Sequence, residues 1–164
     1  MYDSCKLDQL SELLVKHKHT ISVAESVTSG HLQAAFSTAE NATLFYEGGM
    51  TAYNITQKYT QLHVNPVDAM SCNCVSESIA EQMAAHIRKV FSSDWGIGIT
   101  GYASKIPGGP ENLFSCYAIV FREETIKTQA IISKETELVK IQEFYTCSVL
   151  NDLINCLQQV ELVY

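Results

Sequence analysis

Three long stretches of the chain repeat apolar residues every three or four positions. They cover residues 6–17, 75–92 and 135–159. This period matches the helical turn, so each stretch predicts an amphipathic helix that buries one face. In the last stretch, the apolar face consists of Leu138, Ile141, Tyr145, Val149, Leu153 and Cys156.

Shorter apolar runs predict five strands, at residues 20–25, 50–53, 95–100, 114–121 and 125–133. Only Arg-Glu-Glu separates the last two runs, which therefore predict a hairpin.

Between these runs, the sequence predicts short helices and breaks. Residues 28–38 and 56–62 favour helices, the first capped by Thr28 or Ser26. The glycines in 45–49 predict a turn, Pro66 a break, and the two prolines and paired glycines in 102–112 a loop.

Strands alternate with helices through most of the chain, and one hairpin comes late. We therefore predict a single domain over residues 1–164, an α/β fold with three α/β/α layers and a mixed, mostly parallel sheet. Ligands of such sheets bind at the carboxyl ends of the strands. The ends of strands 20–25 and 95–100, where hydroxyl residues lie beside glycine, are the candidate sites.

Composition narrows the classes of partner. The 164 residues carry a net charge of −7, and their basic residues are dispersed, so nucleic acid is not an expected partner. No apolar run could span a bilayer and the amino terminus is unlike a signal peptide, so we expect a cytoplasmic protein with no membrane partner. The six cysteines and five histidines show no metal-ligand spacing, so we expect neither a metal nor a cofactor.

Ser26 is the first candidate for chemistry. It follows a predicted strand and precedes a predicted helix, where amides of residues 28–30 could stabilise an oxyanion. No GxSxG segment or Ser-His-Asp pattern supports it, so on pattern alone a helix cap is the more common role.

Lys58 could act as the base for Ser26 if burial lowered its pKa, although single helical lysines are usually solvated. Tyr53 could be an acid or only the edge of the core. Thr100 and Gly101 could contact a ligand or simply end a strand. Glu25 could orient Lys58 or Ser26, or only end its strand.

These residues belong to four segments that resemble the CinA C-terminal domain family. Ala24–Gly30 keeps five of the seven positions of AESCTGG. The second segment, GGVVTYSNEAKxxLLGV, is matched at Gly48, Gly49, Tyr53, Lys58, Leu62 and Val64. VSxxxA appears at residues 75–80, and the start of ITGIAGPGGG at residues 99–103.

The resemblance implies hydrolysis of nicotinamide mononucleotide to nicotinate mononucleotide and ammonia. Ser26 would attack the amide, Lys58 would move the proton, and Tyr53 would line the site as a third catalytic residue. The resemblance also implies a pyridine nucleotide as small-molecule partner and a homodimer. The implied substrate-binding residues are Glu25, Thr28, Ser29, Gly30, Gly49, Thr100, Gly101, Gly108 and Gly109.

Three departures from the family pattern leave a second interpretation open. Ser29 replaces a glycine, residues 103–109 diverge from the family's glycine-rich loop, and no arginine begins the last helix. The alternative is therefore a CinA-like nucleotide-binding or scaffolding protein with weakened or lost turnover.

Overall fold

The computed structural model describes residues 3–163 and forms one mixed sheet between two helical layers. The sheet order is β2-β1-β3-β4-β5. β1 pairs in parallel with β2 and β3, whereas β4 is antiparallel to β3 and β5. This arrangement confirms the predicted α/β class. The strands are β1 (Ile21–Glu25), β2 (Tyr46–Thr51), β3 (Trp95–Gly101), β4 (Phe114–Phe121) and β5 (Glu124–Ile132).

In the described residues, six α-helices cover the two faces of the sheet. They are α1 (Ser4–His17), α2 (His31–Ser37), α3 (Ile55–Leu62), α4 (Pro66–Ser71), α5 (Glu77–Phe91) and α6 (Leu138–Val163). α1, α2 and α6 bury the larger apolar core on one face, and α3, α4 and α5 cover the other. Within the described part of the chain, not even the 26-residue α6 is long and apolar enough to cross a membrane.

Two glycines of β3 allow α5 to lie directly on the sheet. A Cβ at Gly96 would overlap the carbonyl oxygen of Ala84, and one at Gly98 would overlap that of Ala80. Both glycines are therefore required by close packing between strand and helix. This contact fixes β3, whose carboxyl end forms part of the candidate site.

One prediction about local structure near the site is wrong. Residues 45–49 do not form a turn, because Tyr46–Thr51 is a strand in which Gly48 and Gly49 pair with residues of β1. The break predicted at Pro66 separates α3 from a short helix that was not predicted, because Pro66 begins α4, where its missing N–H is no loss. The side chain of Asn65 caps this helix by accepting from the Val67 N–H.

Candidate active site

The site lies where the three parallel strands end. Glu25 of β1 is in register with Thr51 of β2 and Ile99 of β3, so the chain leaves all three strands at one edge. The sheet thereby brings together residues 26, 52–53 and 100–101, which are far apart in sequence.

Ser26 occupies a tight turn directly after β1. Its N–H donates to the Ile99 carbonyl over 3.0 Å, which extends the pairing with β3. The Ser29 N–H donates back to the Ser26 carbonyl over 3.2 Å and closes the Ser26–Ser29 turn. The Ser26 side chain is 6% exposed and lines the pocket above this edge. The hydroxyl is therefore held in one place by backbone contacts on both sides.

Lys58 reaches the Ser26 hydroxyl from α3. Its side chain is 2% exposed, and its Nζ lies 2.7 Å from Ser26 Oγ. The same nitrogen donates to the carbonyl of Ala52 over 3.1 Å and to that of Tyr53 over 3.5 Å. A neutral amine satisfies this geometry by donating two protons to the carbonyls and accepting the third bond from the hydroxyl.

Burial sets the ionisation of this pair. Desolvation lowers the pKa of Lys58, with the nearby Cys74 acting in the opposite direction. Burial raises the pKa of the Cys74 thiol, so this neighbour tends to stay neutral. Lys58 consequently holds a larger neutral fraction at a given pH than an exposed lysine, as a general base requires.

Glu25 lies beneath the pocket surface, and within the described residues no side-chain hydrogen bond joins it to Ser26 or Lys58; its carboxylate faces the start of α2. It is fully buried, and its carboxylate accepts the N–H groups of Gly30, Leu32 and Gln33 at 2.8–3.1 Å. The carboxylate therefore caps α2 and fixes the far end of the Ser26–Ser29 turn.

The predicted capping of this helix is wrong. Neither Ser26 nor Thr28 caps α2, because it begins only at His31. The Ser26 hydroxyl faces Lys58, and the buried Thr28 hydroxyl has no hydrogen-bond partner. Residues 28–30, the first three of the predicted 28–38 helix, instead lie in the turn before α2.

The amides expected to hold an oxyanion are only partly available. The Ser29 N–H closes the turn, and the Gly30 N–H donates to Glu25. Among the described residues, the N–H groups of Val27 and Thr28 have no acceptor. The amide directly after the serine, which the sequence analysis did not include, is thus the candidate donor, because Val27 lines the pocket whereas the fully buried Thr28 does not.

Ser29 adopts a left-handed conformation with φ of 50°. This region is costly for a residue with a Cβ, which explains why a glycine suits the position. The turn nevertheless forms, and Ser29 lines the pocket.

A pocket of about 670 Å³ opens above Ser26 and Lys58, within the range for small-molecule sites. Of the predicted residues, Ser26, Ser29, Tyr53, Lys58, Thr100 and Gly101 line it. Glu25, Thr28, Gly30, Gly49, Gly108 and Gly109 are not among its lining residues. Tyr53 is 70% exposed, and only its carbonyl contacts Lys58.

Gly49 is set apart by its packing role in β2. A Cβ there would lie 2.6 Å from the Val23 side chain and 2.7 Å from that of Gln33. Gly49 therefore serves the contact between β1, β2 and α2, and not the pocket surface.

Sequence reasoning missed several lining residues, among them His31, Asn54, Asn73, Cys74 and Gln142. The Thr100 hydroxyl donates to the Cys74 carbonyl over 2.7 Å, which joins the end of β3 to the segment before α5. Asn73 and Cys74 both have positive φ, a feature that favours asparagine and could have indicated a tight turn here. Gln142 gave no local signal, because it lies inside a regular helix.

The described residues contain no group of three or more histidine, cysteine or acidic side chains placed to hold a metal ion.

Comparisons with known proteins agree on one family. The family model described as CinA C-terminal domain matches residues 5–156. A CinA-like protein from Thermosynechococcus vestitus is 34% identical over 126 residues, and one from Picosynechococcus is 40% identical over 94 residues. These matches cover 77% and 57% of this chain but 30% and 22% of the relatives, so the chain spans less than a third of their length.

Solved structures show the same fold. A competence or damage-inducible protein from Enterobacter asburiae superposes with a TM-score of 0.87 at 28% identity, covering 93% of this chain and 96% of the other. A CinA superfamily protein from Enterobacter cloacae gives 0.88 at 25% identity, with 96% of each chain covered.

Proposed function

The chain belongs to the CinA C-terminal domain family, and from this premise we propose that it is a serine–lysine amidohydrolase. The proposed reaction converts nicotinamide mononucleotide to nicotinate mononucleotide and ammonia. The substrate comes from the family resemblance, whereas the reaction type rests on the chemistry of the site.

One observation carries the proposal, the 2.7 Å contact between Lys58 Nζ and Ser26 Oγ. Both side chains are buried, and they meet on the floor of a pocket that could admit a substrate. A buried lysine would be an expensive structural element, because its ammonium form loses hydration without an acidic partner. Activation of a serine gives this arrangement a chemical purpose.

Acylation begins with proton transfer from the Ser26 hydroxyl to the neutral Lys58 amine. Oγ attacks the carboxamide carbon, and the carbonyl electron pair moves onto oxygen. The free amide of Val27 stabilises that oxyanion. When the oxyanion collapses, the C–N bond breaks, and Lys58 returns the proton to the departing nitrogen, which leaves as ammonia.

Deacylation repeats the sequence with water. Lys58 takes a proton from a water molecule, and the resulting hydroxide attacks the ester carbon on Ser26. The bond between the acyl carbon and Ser26 Oγ breaks, Oγ recovers its proton from Lys58, and the carboxylic acid product leaves and loses its own proton to water. Lysine therefore ends the cycle neutral, and the net reaction consumes one water.

The pocket is compatible with a pyridine amide. Val27, Val75 and Leu138 supply apolar surface, and the exposed Tyr53 offers an aromatic face at the entrance. Asn54 and Asn73 supply amide groups that can hydrogen-bond a carboxamide or a ribose hydroxyl.

The alternative is a nucleotide-binding or scaffolding protein with weakened turnover. The specific observation in its favour is Ser29, whose left-handed backbone lies within the Ser26–Ser29 turn. Strain here would be felt in the turn that carries the nucleophile and the candidate oxyanion amide.

Ammonia release from nicotinamide mononucleotide tests the proposal. We expect turnover by the wild type, loss of at least about 10³-fold in Ser26→Ala and Lys58→Ala, and no change in Lys89→Ala, which alters an exposed lysine. Absence of ammonia at high enzyme concentration would reject the amidase. Thermal stabilisation by the nucleotide in the same protein would then support the binding alternative.

A further inference from the structure

Gln142 of α6 contacts the residue that follows the nucleophile. Its Nε2 donates to the Val27 carbonyl over 2.8 Å, and the two residues are 115 positions apart in sequence. The side chain is only 8% exposed and forms part of the pocket wall. A buried amide that reaches from the last helix to this one carbonyl anchors the turn from outside the sheet.

The hydrogen bond fixes the orientation of one peptide unit. In a planar trans peptide the C=O and N–H point in opposite directions. Because Gln142 holds the Val27 carbonyl, the Thr28 N–H must point away from Gln142. The Ser29 N–H holds the Ser26 carbonyl in the same way and so orients the Val27 N–H.

The two amides oriented in this way lack acceptors. Within the described residues, neither the Val27 nor the Thr28 N–H donates a hydrogen bond, and the fully buried Thr28 hydroxyl is also unpaired. Buried donors are nearly always satisfied, so a group of unpaired donors beside a serine nucleophile needs an explanation. Val27 lines the pocket whereas the fully buried Thr28 does not, so an oxyanion that forms only during reaction would supply the acceptor for the Val27 N–H.

We propose that Gln142 is a positioning residue that holds Val27 in place, so that the free Val27 N–H is ready to stabilise the oxyanion formed on attack by Ser26. This inference rests on the proposed serine–lysine function. Gln142 gives up no proton in the reaction. It keeps Val27 from rotating, so that the Val27 N–H needs no reorganisation when negative charge develops.

The chain offers a matched control on the same helix. Tyr145 Oη donates to the Tyr102 carbonyl over 3.1 Å, on another wall of the pocket, and Tyr145 is fully buried. Gln142→Leu and Tyr145→Phe each remove one side chain to backbone hydrogen bond between α6 and a pocket segment. A purely structural role for Gln142 predicts similar effects from both substitutions.

We expect Gln142→Leu to lower kcat for nicotinamide mononucleotide roughly 10- to 100-fold while KM changes less than about threefold, because the lost interaction acts in the transition state. Tyr145→Phe should keep kcat within about threefold. The two variants should lose similar amounts of thermal stability. Gln142→Glu, which places an acceptor against the Val27 carbonyl, should lower kcat at least as much and serves if Gln142→Leu does not fold.

Labelling of Ser26 by a fluorophosphonate separates this inference from the proposed function. Ser26 Oγ bonds to phosphorus, fluoride leaves, the serine proton passes to Lys58, and the phosphoryl oxygen occupies the oxyanion position. Labelling should be roughly 10- to 100-fold slower in Gln142→Leu than in the wild type, even if no amide substrate is hydrolysed.

Each outcome has a distinct meaning. Wild-type kcat and labelling rates in both Gln142 variants would overturn the role of Gln142 and leave the amidase intact. Labelling without amide hydrolysis would reject the proposed substrate but still test Gln142. Absence of both hydrolysis and labelling in the wild type would overturn both proposals.

Discussion

The floor and the outer wall of the pocket are built differently. We define the floor as Ser26, Lys58 and the Ser26–Ser29 turn. Ser26 is held by the end of β3 and by the buried Lys58, and the Glu25 carboxylate holds the residue after the turn. The outer wall, which we define as Asn73 and residues 102–106, consists of turns and a loop. There, Asn73 Nδ2 donates to the Tyr102 hydroxyl over 3.0 Å.

The difference assigns separate tasks to the two regions. Groups that transfer protons must stay in position within fractions of an ångström, which buried regular elements achieve. Groups that select among substrates are commonly carried by loops on such a scaffold. We therefore expect floor substitutions to change kcat and wall substitutions to change mainly KM.

The largest expected effect comes from Lys58→Met on the floor. Loss of the base should lower amide hydrolysis by about 10³-fold or more, while Lys89→Met at an exposed position leaves it unchanged. The same variant should be more stable than the wild type, because it removes a buried amine that lacks an acidic partner. Ammonia release and thermal unfolding check the two effects.

The difference in unfolding free energy between the wild type and Lys58→Met should depend on pH. Burial lowers the pKa of folded Lys58 below that of an unfolded lysine, so between the two values the unfolded state binds more protons. Wild-type stability relative to Lys58→Met should thus rise as pH increases through this window. A difference that stays constant over the window would contradict a desolvated lysine.

Glu25→Gln should have the next largest effect. The carboxylate accepts three backbone N–H groups, and an amide presents a donor where one of its oxygens accepts. We expect a loss of about 2 kcal/mol of unfolding free energy. Glu47→Gln, an exposed change in β2, should be nearly neutral. Equal unfolding midpoints for the two variants in urea would contradict the capping role of Glu25.

Ser29→Gly should act in the opposite direction. Removing the Cβ at φ of 50° relieves left-handed strain, and we expect a gain of about 1 kcal/mol in unfolding free energy. Ser29→Ala keeps the Cβ and should bring no such gain. If Ser29→Gly also raises kcat, strain in the turn limits turnover. That result would support the alternative that the natural sequence is a nucleotide-binding or scaffolding protein with weakened turnover.

The smallest effect is expected on the outer wall. Ser104 is exposed and lines the pocket, so Ser104→Ala should change KM by less than about threefold and leave kcat unchanged. Steady-state kinetics measure both constants. A kcat loss comparable to that of a floor variant would remove the distinction between the two regions.

Local pattern was sufficient for most of the fold. The periodicity of α1, α5 and α6 and the apolar runs of β1, β3, β4 and β5 predicted those elements within a few residues. The predicted strand at residues 50–53 covered only the end of β2, because paired glycines such as Gly48 and Gly49 are typical of a turn. They form a strand because β1 supplies their hydrogen-bond partners, which local sequence does not reveal.

The candidate site likewise contains residues that the sequence could identify and residues whose roles depend on contacts between distant elements. The segment with Ser26 and the segment with Lys58 could be identified by family resemblance, and the fold explains why they meet. The roles of Glu25 and Gln142 could not be predicted, because each depends on a specific contact between elements: a carboxylate against amides up to eight residues away, and a side-chain amide against a carbonyl 115 residues away. Side-chain direction at such contacts is decided by packing.

The pH dependence of fluorophosphonate labelling at Ser26 tests the central claim most directly, because it reports the activation of the serine by Lys58 without requiring the right amide substrate. The account predicts that the labelling rate rises with pH through a single ionisation below that of an ordinary lysine, and that Lys58→Met loses both this ionisation and most of the rate. Labelling that is independent of pH, or equally fast in Lys58→Met, would contradict it.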